Sequence, residues 1–122
     1  MFNREPKTPR VEILIGRSAR VHGDVDFSGG LHIDGHVFGG VCAYGEGESS
    51  VSVSESGIVE GGIVATNVVV NGMVRGNVQS TGKVTLGANA RVVGNVQYGV
   101  IESAVGAEIT GTLLQVQAAA GK

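Results

Sequence analysis

Residues Val37–Val53 read VFGGVCAYGEGESSVSV. Aliphatic pairs stand at both ends, and the middle is a run of Gly, Glu and Ser. That middle is either a ligand-cradling loop or a spacer between two copies of a repeated unit, and the choice decides the fold. Outward from Val37, the pattern aliphatic-x-Gly-x-aliphatic occurs six times: VHGDV from Val21, VFGGV from Val37, VEGGI from Val59, VRGNV from Val74, VVGNV from Val92 and ITGTL from Ile109. Successive copies start 16, 22, 15, 18 and 17 residues apart. A near-constant step of this size is the mark of a repeat architecture. The long step is the one that contains GEGESS, which therefore reads as a lengthened corner.

Between the copies lies a second alternating pair: Leu31 and Ile33, Val51 and Val53, Val68 and Val70, Val84 and Leu86. A spacing of two puts both side chains on one face of a strand. Valine and glycine at this density disfavour helix, and no 3.6-residue period competes. Strands this short bury nothing alone, so the units must stack on one another. The sequence thus predicts an all-β parallel solenoid of about six turns, with three short strands per turn and an inward ladder of aliphatics. The motif glycine is expected where a side chain would crowd the narrow interior. Asp34-Gly35 and Asn71-Gly72 read as tight corners supplying positive φ. The longer corners, such as IGRSARV from Ile15 and LGANARV from Leu86, tuck in a small residue: Ala19, Gly57, Ala90 or Ala107.

The chain of 122 residues suits one domain, with 21 Gly, three Phe, two Tyr and no Trp. Its single cysteine, Cys42, forms no internal disulfide, which fits a reducing cytoplasm. No apolar run of membrane-spanning length and no secretory h-region is found. Charge is unevenly placed. Residues 1–10 hold Arg4, Lys7 and Arg10 against Glu5, while the rest is mildly acidic. An acidic body argues against nucleic acid, and the basic end is a candidate contact for a membrane surface.

The repeated motifs, with IDGHVFGGV (Ile33–Val41), VNGMVRGNV (Val70–Val78) and the opening LIGRSARVHGDVDFSGGLHIDGHV, resemble the bactofilins, bacterial cytoskeletal proteins. The resemblance covers about residues 12–117. It implies a right-handed parallel β-helix with short disordered ends: a basic tail over 1–11 and a short tail over 118–122. It also implies a scaffold that polymerises without nucleotide into filaments with non-polar joints, positioning cell-wall or envelope enzymes and polarity proteins and influencing cell shape. The start MFNREPKTPR matches the family's membrane-binding tail at Met1, Phe2, Arg4 and Lys7, which places the protein on the inner face of the cytoplasmic membrane. The brief AAAGK end departs from the long tails of many members.

The rod ends are the expected assembly surfaces. Polar caps are missing, and apolar Ile13, Leu14, Ile109, Leu113, Leu114 and Val116 lie in the first and last turns. Other chemistry finds little support. His22, His32 and His36 each neighbour an inward aliphatic, so they read as solvated outward residues on different faces or turns, not metal ligands. In STGKV, Val84 and Asn77 occupy positions where a phosphate loop needs Ser or Thr and Gly. The alternative reading, a left-handed hexapeptide-repeat acyltransferase, has Ile15, Val21, Phe27 and Ile33 six apart but then meets Gly39 and Gly45. The expectation is no enzyme, cofactor, metal, nucleotide or nucleic acid. Glu60 with Arg75 and Arg91 with Glu108 are expected to pair across turns, and the 45–50 corner, its acids and serines in solvent, is a candidate lateral surface.

Overall fold

The computed structural model describes residues 11–45 and 47–116. These residues wind through six coils of three strands each. The first coil is β1 (Val11–Ile15), β2 (Arg20–His22) and β3 (Val25–Phe27), and the second is β4 (Gly30–Ile33), β5 (His36–Phe38) and β6 (Val41–Ala43). The third holds β7 (Ser50–Val53), β8 (Ile58–Glu60) and β9 (Ile63–Ala65), and the fourth β10 (Asn67–Val70), β11 (Met73–Arg75) and β12 (Val78–Ser80). The fifth holds β13 (Lys83–Leu86), β14 (Arg91–Val93) and β15 (Val96–Tyr98), and the sixth β16 (Val100–Ser103), β17 (Glu108–Thr110) and β18 (Leu113–Gln115). First, second and third strands of successive coils pair in parallel, which makes three six-stranded sheets, here A, B and C. No helix interrupts them among the described residues. Five coil-to-coil steps of ~4.8 Å give a rod about 24 Å long.

The repeat fixes the register. In sheet B, Val21, Val37, Val59, Val74, Val92 and Ile109 stand in one column. In sheet C, Val25, Val41, Ile63, Val78, Val96 and Leu113 form another. The middle members of both columns are fully buried. Each contributes roughly 1.5–3 kcal/mol by leaving water. Leu31 and Ile33, Val51 and Val53, Val68 and Val70, and Val84 and Leu86 complete the core from sheet A. A one-residue slip in any strand would turn its column to solvent, so the core holds the register.

The corners behave differently from their sequence reading in two respects. The glycine between sheets B and C has φ from +125° to +158° in all six coils. From Gly39 onward, a Cβ there would run into the backbone carbonyl of the equivalent glycine one coil earlier, Gly39 on Gly23 and Gly76 on Gly61, for example. The obstacle is thus stacked backbone, not a crowded interior. The second correction concerns Gly35 and Gly72, neither of which has a positive φ. Their added Cβ atoms would strike carbonyl oxygens of Gly16 and Ala19, and of Ser54 and Gly57, in the longer corner beneath. Those short corners nest on long ones, and glycine is needed for the close approach. The small residues of the long corners do tuck in, with Ala90 and Gly57 buried.

The residue after the sheet B–C glycine ties neighbouring coils together. Asp24 Oδ1 accepts the N–H of Gly40 at 2.8 Å, and Asn77 Oδ1 accepts that of Asn95 at 3.0 Å. Asn95 Oδ1 in turn accepts from both the N–H and the hydroxyl of Thr112, at 3.1 and 2.6 Å. A short amide or carboxylate at this corner satisfies a donor of the following coil that the ladder leaves free.

Candidate self-assembly surfaces

Each inner coil is paired on both sides, whereas the first and last are paired on one side only. Among the described residues, the strands β1, β2 and β3 at one end, and β16, β17 and β18 at the other, therefore present free backbone edges. The side-chain columns record the same discontinuity. Leu113 continues the column of fully buried Val96 yet is 48% exposed, and Ile13 continues that of Leu31 yet is 38% exposed. Ile109, beyond buried Val92, is half-buried. These residues have inward orientation, and among the described residues no neighbour covers them.

The other residues expected at the ends are placed differently. Leu14 is in register with His32 and Leu114 with Gln97, so both point outward on the flanks of the terminal coils, at 62% and 55% exposed. The strand alternation that aims Leu113 along the rod axis aims Leu114 away from it. Val116 donates its N–H to the Tyr98 carbonyl at 2.7 Å and lines a lateral groove. Sequence reasoning missed Val105, which is 97% exposed in the last corner. The signal was available, since the equivalent corner positions are Arg17, Glu55 and Ala88. Met1, Phe2, Arg4 and Lys7 lie outside the described residues, as does the 118–122 segment.

On the flanks, the histidines point outward as expected but are not simply solvated. His22 and His36 share sheet B on adjacent coils, and both stack on Phe38, with ring centroids 4.7 and 3.8 Å apart. Glu60 lies in register with Arg75, yet its carboxylate takes His36 Nε2 at 2.9 Å. The neighbouring coil on the other side therefore supplies the partner instead of Arg75. His32 lies on sheet A beside Asp34, at 3.0 Å. Arg91 and Glu108 do pair, at 3.5 Å, and Lys83 meets Glu102 at 3.1 Å. Such exposed pairs contribute about 0–1 kcal/mol and serve register more than stability. Among the described residues, no cluster of three metal-ligating side chains forms.

The long corner after β6 is also tied down more than its composition suggests. Ser49 is buried, not solvated: its N–H donates to Thr66 Oγ1 at 3.2 Å, while Thr66 N–H donates to Ser49 Oγ at 3.0 Å. Ser50 is already the first residue of β7. Of the described part, Tyr44, Gly45, Gly47 and Glu48 stand out from the coil.

The rod, its columns and its open ends agree with what the chain is similar to. A solved structure of Thermus thermophilus bactofilin in double helical filaments, a cryo-EM reconstruction, superposes with a TM-score of 0.77 at 29% identity, covering 84% of this chain and 98% of that one. Bactofilin BacO of Myxococcus xanthus (strain DK1622) is 34% identical over 100 residues, spanning 82% of this chain and 76% of the relative. The family model for bactofilin, described as polymer-forming cytoskeletal, matches residues 13–114, from the first open column residue to the last strand. The chain belongs to the bactofilin family of polymer-forming cytoskeletal proteins.

Proposed function

We propose that this protein is a scaffold that stacks end to end into filaments without nucleotide, lies against the inner face of the cytoplasmic membrane, and positions cell-wall or envelope enzymes and polarity proteins. The observation that carries the assembly reading is the loss of burial at Leu113 and Ile13, where, among the described residues, continuous apolar columns stop without a cap. Covering those columns with a second copy removes apolar surface from water and pairs three strand edges at once. Electron microscopy of the purified protein without nucleotide tests this. Filaments are expected, and monomers alone at high concentration would end the reading.

The membrane role rests on composition. Met1 and Phe2 together would contribute roughly 3–5 kcal/mol on insertion, and each basic residue about 1 kcal/mol beside an anionic surface. One subunit binds weakly on such terms, while a filament presenting many tails gains avidity with no new contact. Phe2→Ser is expected to cut co-sedimentation of polymer with anionic vesicles at least tenfold. Undiminished co-sedimentation would remove the membrane from the proposal.

A further inference from the structure

Only the middle residue of each strand in sheet B points into the core, so the residues on either side of it make two outward columns. One column runs Arg20, His36, Ile58, Met73, Arg91 and Glu108. The other runs His22, Phe38, Glu60, Arg75, Val93 and Thr110. The first has apolar Ile58 and Met73 at its centre and opposite charges at its ends. The second has opposite charges, Glu60 and Arg75, at its centre, with apolar Phe38 and Val93 beyond them. Phe38, Ile58 and Met73 are half-buried, and Val93 is 47% exposed.

A second copy of this face, laid on the first with its rod reversed, meets its complement. Reversal sets the first coil against the sixth, the second against the fifth and the third against the fourth. Arg20 then faces Glu108, Ile58 faces Met73, Phe38 faces Val93 and Glu60 faces Arg75, and each pair occurs twice by symmetry. His22 faces Thr110, and His36 faces Arg91, two side chains that already hold Glu60 and Glu108. The other flanks lack this property. Reversal puts Leu14 against Glu102 on the outward column of sheet A. On that of sheet C it puts Asp26 against Leu114.

We infer that sheet B is a lateral contact between two copies of this chain lying side by side and antiparallel, related by a twofold axis that passes between the third and fourth coils. Two cations are open for it. His36 takes Glu60, and among the described residues neither Arg75 nor Arg20 makes an ion pair. The reversed copy offers a carboxylate to each, Glu60 to Arg75 and Glu108 to Arg20, with apolar pairs between them that exclude water. Parallel rods would instead set Ile58 against Glu60 and Met73 against Arg75, so the pattern selects the antiparallel direction. Three strand residues at ~3.3 Å and five steps of ~4.8 Å make a face of about 10 by 24 Å. Two such faces fall short of the ~1,200 Å² buried in stable complexes. Single rods therefore pair weakly. Filaments that present the face repeatedly pair through avidity, a step that rests on the proposed end-to-end stacking.

Cross-linking tests the contact without need of filaments. In full-length Cys42→Ser chains, one copy carries Ile58→Cys and the other Met73→Cys, both in the middle coils and away from either rod end. A short bismaleimide should join the two chains of an equimolar mixture across the axis. Arg75→Glu on both chains is expected to lower the yield of the mixed product at least fivefold, because each facing pair then holds two carboxylates. Glu60→Arg on both should do the same with two guanidinium groups. Arg75→Glu on one chain and Glu60→Arg on the other should restore the yield, since every facing pair is again opposite in charge. Neither chain of that mixture holds an opposite pair of its own at positions 60 and 75, so the recovery reports contact between copies. A yield that ignores these charges overturns the inference. So does loss from each reversal with no recovery in the mixture, which assigns Glu60 and Arg75 to the stability of the single rod. Cross-links that follow the charges in a protein forming no filaments uphold the lateral contact and reject only the end-to-end reading.

Discussion

Leu113→Arg is expected to abolish filaments while the coil remains folded. Leu113 stands at the open end of the sheet C column, in register with buried Val96 and half-exposed in the single molecule. In the isolated rod an arginine there extends into water and costs little. In a joint it becomes a charge enclosed between two apolar ends, a cost of several kcal/mol unless a carboxylate meets it. Sedimentation and electron microscopy should show small species, with the circular dichroism of the sheet unchanged. The size of those species reports how the ends pair. If like ends meet, the variant loses only its C-terminal joint and stops at dimers held by first coils. If unlike ends meet, every joint contains residue 113 and monomers result. Leu114→Arg, pointing outward one residue later, should leave filaments largely intact. Equal loss from both substitutions would mean that the lateral flank, not the end of the column, makes the joint.

The contrast between Leu113 and Leu114 marks how far the sequence could be read. Period-two alternation is a local property, so the core columns, the six coils and their three faces were all visible in the spacing of valines. The composition of the last coil was visible too. The direction of each apolar residue there was not assigned, although Leu113 follows the corner glycine at the same interval as Val96 and could have been. Properties created only by stacking were less accessible. That Glu60 takes His36 in place of Arg75 is a choice between two neighbours at correct register, decided by the Phe38 stack that positions the imidazole. Ser49 looked solvated because GEGESS is polar, but its partner Thr66 lies one coil later. The groove beside that corner combines residues from several coils, and no window of sequence contains it.

The corner glycines give the sharpest test of what stacking adds. Gly23 and Gly76 occupy the same motif position, with φ of +125° and +154°, so alanine is strained at both. Around Gly23 an added Cβ meets nothing within 4 Å, because among the described residues no coil precedes it. At Gly76 the Cβ meets the Gly61 carbonyl. Gly23→Ala should therefore cost only the conformational strain, about 1–3 kcal/mol, and loosen just the end coil. Gly76→Ala adds an overpacking cost of about 1–3 kcal/mol and does so in the fourth coil, where it weakens the contacts that hold the two halves of the rod together. Measured in the Leu113→Arg background at a concentration where it is monomeric, so that assembly does not mask the effect, Gly76→Ala should lower the thermal midpoint by roughly 10–50 °C, about 2–6 kcal/mol in all at about 4–8 °C per kcal/mol for a domain of this size. Gly23→Ala should lower it by less than half as much. Equal losses would show that backbone conformation alone requires these glycines, and that the stacked carbonyls are its consequence.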